Sequence, residues 1–318
     1  MSAKTVHQAS LMLLQKLFGS NHPYIAGSLL NLAVVYSRQG KYHDALLLHN
    51  QSLAILQQSY GLRHAHVGTV FITMGTVHYK LGNFSKAIHC TEQGLEILED
   101  IHGPYHPRVA EALNFLGFMY RDKGLLRKAQ ECLERSISIK EQVFDDKHFI
   151  LGEALNDLGV VYTRLGETEK AIKVLKKALH IFKRTWGESH TAVTTTLNSL
   201  GAAYCALGEA RKAVSLHQTA QETLLKMTAG TSRDHLLAET RHLLGNAYLT
   251  MANVDDARKM YRLAYSGFST LYDEKHWRVQ QAQRDLISLH SNTSKNSIVF
   301  HLILVIYTSV FSLLTNLF

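Results

Sequence analysis

Proline is almost absent, with three in 318 residues, and cysteine is equally scarce, also three. So little cysteine excludes a disulfide-stapled secreted scaffold. Cys90 and Cys132 share one slot of a repeat, where other copies place Leu48 and Val174, and with Cys205 they are read as small core residues. Strand-like alternation is missing, so the fold class is all-α. No Lys/Arg run exceeds two residues, although the net charge is +8 and the pI is about 9.3. That charge favours an acidic protein partner and argues against nucleic acid. A Gly-rich phosphate loop, Gly-x-Ser-x-Gly, His-Glu-x-x-His and a paired-cysteine metal motif are all lacking. No enzyme, cofactor or resident metal is therefore expected. Residues 1 to 10 are polar and carry no secretory signal.

What is present is a beat. Glycines stand at 40, 82, 124, 166 and 208, each 42 residues after the last, and each is followed five residues on by alanine: Ala45, Ala87, Ala129, Ala171 and Ala213. A sixth copy, with Ala252 in the glycine slot and Ala257 after it, arrives two residues late. Fixed-period self-similarity predicts a solenoid, in which each unit packs on its neighbours.

Each copy reads as a helix–turn–helix. Ile25, Leu29, Leu32, Ala33 and Tyr36 fall at helical spacing; Gly40 breaks the run as a left-handed C-terminal residue would; Tyr42, Ala45, Leu46, His49, Leu53 and Leu56 resume it until Gly61. Where the first copy has Ala33, the others carry Gly75, Gly117, Gly159, Gly201 and Gly245. A mid-helix glycine costs about 1 kcal/mol relative to alanine, so its recurrence predicts a close approach between helices.

The pattern Leu-x-x-Leu-Gly-x-x-Tyr, then Gly, then Ala resembles the tetratricopeptide repeat. The 42-residue form, with His22-Pro23, His106-Pro107 and the cores Leu113 to Gly117, Leu155 to Gly159 and Leu197 to Gly201, resembles the repeats of kinesin light chain and nephrocystin-like proteins. The resemblance covers roughly residues 1 to 290. It implies a right-handed superhelical solenoid that binds protein segments in a concave groove as a scaffold or cargo adaptor. Two other roles stay open: the sensor or autoinhibitory region of a larger signalling ATPase, and a tail-anchored membrane receptor for soluble clients. The heptad coiled coil and the lysine-rich carboxylate clamp found in some relatives are not seen.

The expected organisation is one solenoid over 1–290. It comprises a half repeat at 1–20 with an apolar edge, six helix pairs over 21–273 and a partial repeat at 274–290. A polar linker at 291–297 and a hydrophobic tail at 298–318 follow. The stretch Met227 to Ser232 holds the two-residue insertion as a longer turn.

Three sets of residues are candidates for function. His22, His64, His106, His148, His190 and His276 form a column that invites a metal reading. Neighbouring helices pack roughly 10 Å apart, too far for one ion to bridge, so the histidines are read as caps for orphan N–H groups. A phenolic column, Tyr36, Tyr120, Tyr162, Tyr204 and Tyr248, with His78 in the second copy, is read as core. The resemblance puts the inner face of the first helices in the groove. There, Asn114, Asn156, Asn198 and His242 occupy one slot, and Arg38, Lys80, Arg121 and Arg164 lie along the same face. Carboxamides can pair with the backbone of an extended ligand, and the cations would favour acidic groups. Glu111, Glu153 and Glu239 sit lower on these helices as their pairing partners. The competing reading is that the asparagines cap neighbouring helices and the cations are a solvated face.

The tail, Ile298 to Phe318, is 21 residues without a charge. As a helix it spans about 31 Å, against a hydrocarbon core of about 30 Å. A membrane anchor with the repeats in the cytoplasm competes with a cap helix on the last repeat and with an ending foreign to the repeat pattern.

Overall fold

The computed structural model describes residues 3–143 and 148–289, which form two compact units dividing at Val143. Every element among them is a helix. Unit 1 holds α1 (Ala3–Phe18), α2 (Pro23–Arg38), α3 (Tyr42–Tyr60), α4 (Ala65–Lys80), α5 (Phe84–His102), α6 (Pro107–Asp122) and α7 (Leu126–Val143). Unit 2 holds α8 (Phe149–Arg164), α9 (Thr168–Trp186), α10 (Thr191–Ala206), α11 (Ala210–Lys226), α12 (Thr231–Thr250), α13 (Val254–Leu271) and α14 (Trp277–Ser288). No helix of the described residues is long and apolar enough to cross a membrane. The linker at 291–297 and the tail at 298–318 lie outside the described residues.

First helices start on histidine. In α2, α4, α6, α8, α10 and α14 the cap is His22, His64, His106, His148, His190 and His276. Each imidazole Nδ1 accepts the N–H two residues on, at 3.1–3.4 Å. Most of these rings also stack on the aromatic side chain four residues earlier, as in Tyr60–His64 at 4.4 Å and Tyr272–His276 at 4.0 Å between centroids. The column is therefore a set of helix caps, as expected.

First helices end on the tyrosine column. Lys41 N–H donates to Tyr36 O at 2.9 Å while Gly40 N–H donates to Ser37 O at 3.1 Å, the paired bonds of a Schellman turn. The same pair closes on the carbonyls of His78, Tyr120, Tyr162, Tyr204 and Tyr248. Gly40 has φ 76° as the turn requires, and Ala252 adopts φ 58° in its place in the last copy. Tyr120, Tyr162 and Tyr204 are buried, whereas Tyr36 and Tyr248 are half-buried.

The close approach is real. A Cβ on Gly117 would lie 2.6 Å from Leu133 Cγ, and one on Gly245 would lie 2.6 Å from Tyr261 Cε1. In every pair with a glycine in this slot the residue pressed against it lies 16 positions later: Thr91 on Gly75, Leu133 on Gly117, Leu175 on Gly159, His217 on Gly201, and Tyr261 on Gly245. A second contact fixes the pair lower down, where Ser52 and Ser136 donate to the carbonyls of Ala26 (3.0 Å) and Ala110 (2.6 Å).

The insertion differs from expectation. Thr231 and Ser232 belong to α12, and the longer turn shrinks to 227–230. Gly230 provides the N-cap without a side-chain bond, and Asp234 in the first turn favours the positive end of the helix dipole. The three cysteines are free and half-buried; burial raises the Cys132 and Cys205 thiols to about 11, so neither is a thiolate at neutral pH.

Candidate functional site

The face expected to meet a partner is carried by the first helices of each unit. In unit 1, Arg38 and Lys80 end α2 and α4 and are exposed to solvent. Arg121 is different: its side chain is 12% exposed, its Nε pairs with Asp122 Oδ1 at 2.9 Å, and its guanidinium lies 4.3 Å from the Phe118 ring centroid. The Tyr79 hydroxyl donates to the other oxygen of Asp122, and its ring tilts over Phe118 at 5.0 Å. Tyr79, Phe118, Arg121 and Asp122 thus tie α4 to α6. Asn114 Oδ1 accepts from Lys140 Nζ at 3.1 Å, which gives the buried ammonium of α7 a partner.

Unit 2 carries a more polar face. Asn156 and Arg164 are half-buried on α8, and Asn156 Oδ1 has no hydrogen-bond partner among the described residues. Asn198 is buried inside a chain whose directions are fully determined. Thr240 Oγ1 donates to Leu236 O at 2.8 Å, so it accepts from Asn198 Nδ2 at 2.7 Å; Asn198 Oδ1 then faces His217 Nδ1 at 3.1 Å and accepts its proton. Burial drives the His217 pKa down to about 4, so the ring is neutral. His242 Nε2 donates to Asp285 Oδ2 at 2.7 Å, and Gln281 donates to the same carboxylate. Asn198 and His242 therefore join helices within the unit.

Glu239 meets Arg278 at 3.4 Å, because α14 brings that guanidinium alongside α12. Sequence reading also missed a hollow of about 490 Å³ lined by Thr191 and Thr195 of α10, Thr231, Ser232, His235 and Glu239 of α12, and Tyr272. Tyr272 hydroxyl bonds His235 Nδ1 at 2.7 Å. Burial lowers the His235 pKa, with Arg278 adding to the effect and Glu239 opposing it. The one available signal was the broken period, which places His235 and Thr191 in the same slot of successive first helices. Among the described residues no His/Cys/Asp/Glu group is arranged to hold a metal ion.

These features are those of a tetratricopeptide-repeat array. The tetratricopeptide-repeat family model matches residues 2–58, 24–100, 66–142, 108–184 and 150–226, and a second model of that repeat matches 238–266, so the chain belongs to this family. The fold is similar to that of a Podosopora anserina putative kinesin light chain with nearly identical TPR-like repeats, at 22% identity and TM-score 0.57 over 66% of this chain and 99% of that one. It is similar also to BtubC (BKLC) from P. vanneervenii, at 19% identity and TM-score 0.59 over 76% and 92% of the two chains. The quorum sensor NprR from B. thuringiensis, in its apo form, shares the fold at 17% identity and TM-score 0.60 over 91% and 83%. No curated protein matches the chain. At these identities the likeness is one of fold, and proteins of this repeat family are generally protein-interaction scaffolds.

Proposed function

We propose that the chain is an adaptor of the kinesin-light-chain-like kind, holding extended segments of partner proteins against its first-helix faces. Asn114, Asn156, Asn198, His242, Arg38, Lys80, Arg121 and Arg164 belong to those faces. The observation that carries this reading is the hollow on α10 and α12: hydroxyls, an imidazole and a carboxylate on neighbouring first helices offer donors and acceptors to a peptide main chain. Exposed Arg38 and Lys80 give unit 1 a preference for acidic segments, while Arg121, Asn198 and His242 hold the helices that present the face. A cytoplasmic placement with residues 298–318 as an anchor completes the proposal.

The test is a pull-down with the full chain, a chain ending at His290, and a Thr195→Arg variant that fills the hollow. Partners retained by the shortened chain and lost from Thr195→Arg support the reading. Capture that survives filling places binding elsewhere. Membrane sedimentation unaffected by loss of the tail removes the anchor.

A further inference from the structure

Apart from the first-helix faces, unit 2 carries one strongly charged surface. Helix α9 holds six lysines and arginines in 19 residues against one acid, Glu169. Its neighbour α13 sets three cations against two acids, and α11 sets three against one. The placement on α9 is ordered. Lys170, Lys173, Lys177, His180 and Arg184 are all exposed and follow one another at three, four, three and four residues. That spacing keeps them on one side of the helix. The stripe runs about 21 Å, at about 1.5 Å per residue. The opposite side of α9 is committed to the core, with Ala171, Leu175, Ala178, Ile181 and Phe182 buried.

The stripe is paired in part. Lys170 pairs with Glu167 at 2.8 Å and Lys177 makes a contact of its own within the chain, whereas Lys173 and Arg184 have no ion pair among the described residues. Holding a file of like charges along one helix costs self-repulsion that an opposite charge removes.

We propose that this outward stripe of α9 is a second interaction surface, and that its partner is an acidic protein helix carrying carboxylates at the same three–four spacing. A single file of charges at a helical repeat matches another helix laid alongside it. A bilayer is the poorer fit. Helices that bind membranes at the interface sink an apolar face into the lipid, and the apolar face of α9 is already buried. A nucleic acid is also the poorer fit, because single strands are gripped by aromatic side chains interleaved with cations, and the stripe has none between Lys170 and Arg184. This surface is independent of the first-helix faces, so a ligand can occupy both.

The test uses the full chain and fluorescence anisotropy with a labelled helical peptide whose glutamates follow the α9 spacing. A peptide of identical composition with the glutamates spread around the helix is the control. The phased peptide is expected to bind and to lose at least about tenfold in affinity with Lys173→Glu, Lys177→Glu and Arg184→Glu together, because charge reversal turns attraction into repulsion. The triple variant Lys226→Glu, Lys259→Glu and Arg262→Glu, equal in charge and exposed on other helices, is expected to change it by less than about twofold at moderate salt, where screening confines the effect to near charges. Circular dichroism checks that both variants keep their helicity. Equal binding of the two peptides, or equal loss in the two variants, overturns the proposal. Binding to phosphatidylserine vesicles in preference to the phased peptide, lost in the α9 variant, also overturns it and assigns the stripe to membranes.

Discussion

Units 1 and 2 use the same backbone plan and spend it differently. Each contains a buried histidine 16 residues after the small-residue slot: His49 in unit 1 and His217 in unit 2. Burial lowers both pKa values to about 4. His217 is held by Asn198, whereas His49 Nδ1 has no partner among the described residues. The small-residue slot also differs, since it holds Ala33 16 residues before His49 and glycine in the other copies. The repeat thus fixes where two helices touch and leaves the chemistry of the touching side chain open. A polar choice there is stable only as far as a second residue satisfies it.

The sharpest way to break this plan is at the contact itself. Gly75→Ala is expected to cost about 3 kcal/mol, because the new methyl would meet the Thr91 side chain and, at 2.9 Å, the Ala87 carbonyl oxygen. Backbone cannot rotate away as a side chain can. The three atoms nearest a Cβ on Gly201 in unit 2 all belong to the His217 ring, the first 2.6 Å away, and Gly201→Ala is expected to cost about 1–2 kcal/mol less. Denaturant unfolding of the two variants measures the difference; equal costs would show that the backbone contact at Gly75 relaxes freely.

Acid sharpens the comparison next. Both histidines are depressed from 6.5, so the fold favours their neutral form. Their contribution is complete above pH 6.5, falls as the unfolded chain takes up protons that the folded chain refuses, and is lost by about pH 4. Each is expected to remove of the order of 1–3 kcal/mol across that window. Replacing them separates the units. His217→Leu abolishes its share of the acid sensitivity but leaves Asn198 Oδ1 buried and unpaired, costing about 2 kcal/mol at neutral pH. His49→Leu abolishes its share and is neutral or stabilising by up to about 1 kcal/mol, because it removes an unsatisfied ring nitrogen. Melting curves at pH 7 and pH 4.5 decide; an equal neutral-pH loss in both variants would mean that His49 has a partner of comparable worth.

The helices, their order and the turn glycines were legible because each rests on a local rule: periodicity, histidine caps and left-handed glycines. Ala3–Phe18 and the contact column were readable for the same reason. The face was less legible. Asn114, Asn156 and Asn198 share a slot, yet one serves Lys140, one presents an unpaired oxygen and one completes the chain from His217 to Thr240. Those fates depend on residues 26, 19 and 42 positions away, which no local pattern encodes. Arg121 likewise turns inward because Tyr79 and Phe118 build a seat for it with Asp122. The hollow beside His235 arises where the period breaks, so the repeat that made the fold readable gave no template there.

The smallest expected effect lies at the helix starts. His64, in unit 1, and His190, in unit 2, cap their helices through Nδ1, at 3.3 and 3.2 Å, while α12 starts on Gly230 with no side-chain cap. Gly230 has φ 173°, extended backbone open to any residue. Gly230→Asp places a carboxylate where the first N–H groups of α12 and the positive end of its dipole converge, and is expected to stabilise unit 2 by a few tenths of a kcal/mol. His190→Ala is expected to cost about 1 kcal/mol, since it removes both the acceptor and the ring packed against Trp186 at 4.2 Å. The gain in Gly230→Asp persists until the carboxylate itself protonates, near pH 4. Hydrogen exchange at the first turns of α10 and α12 reads both. An α10 first turn as well protected in His190→Phe as in the unaltered chain would show that the ring packed on Trp186, and not the hydrogen bond at Nδ1, holds the helix start.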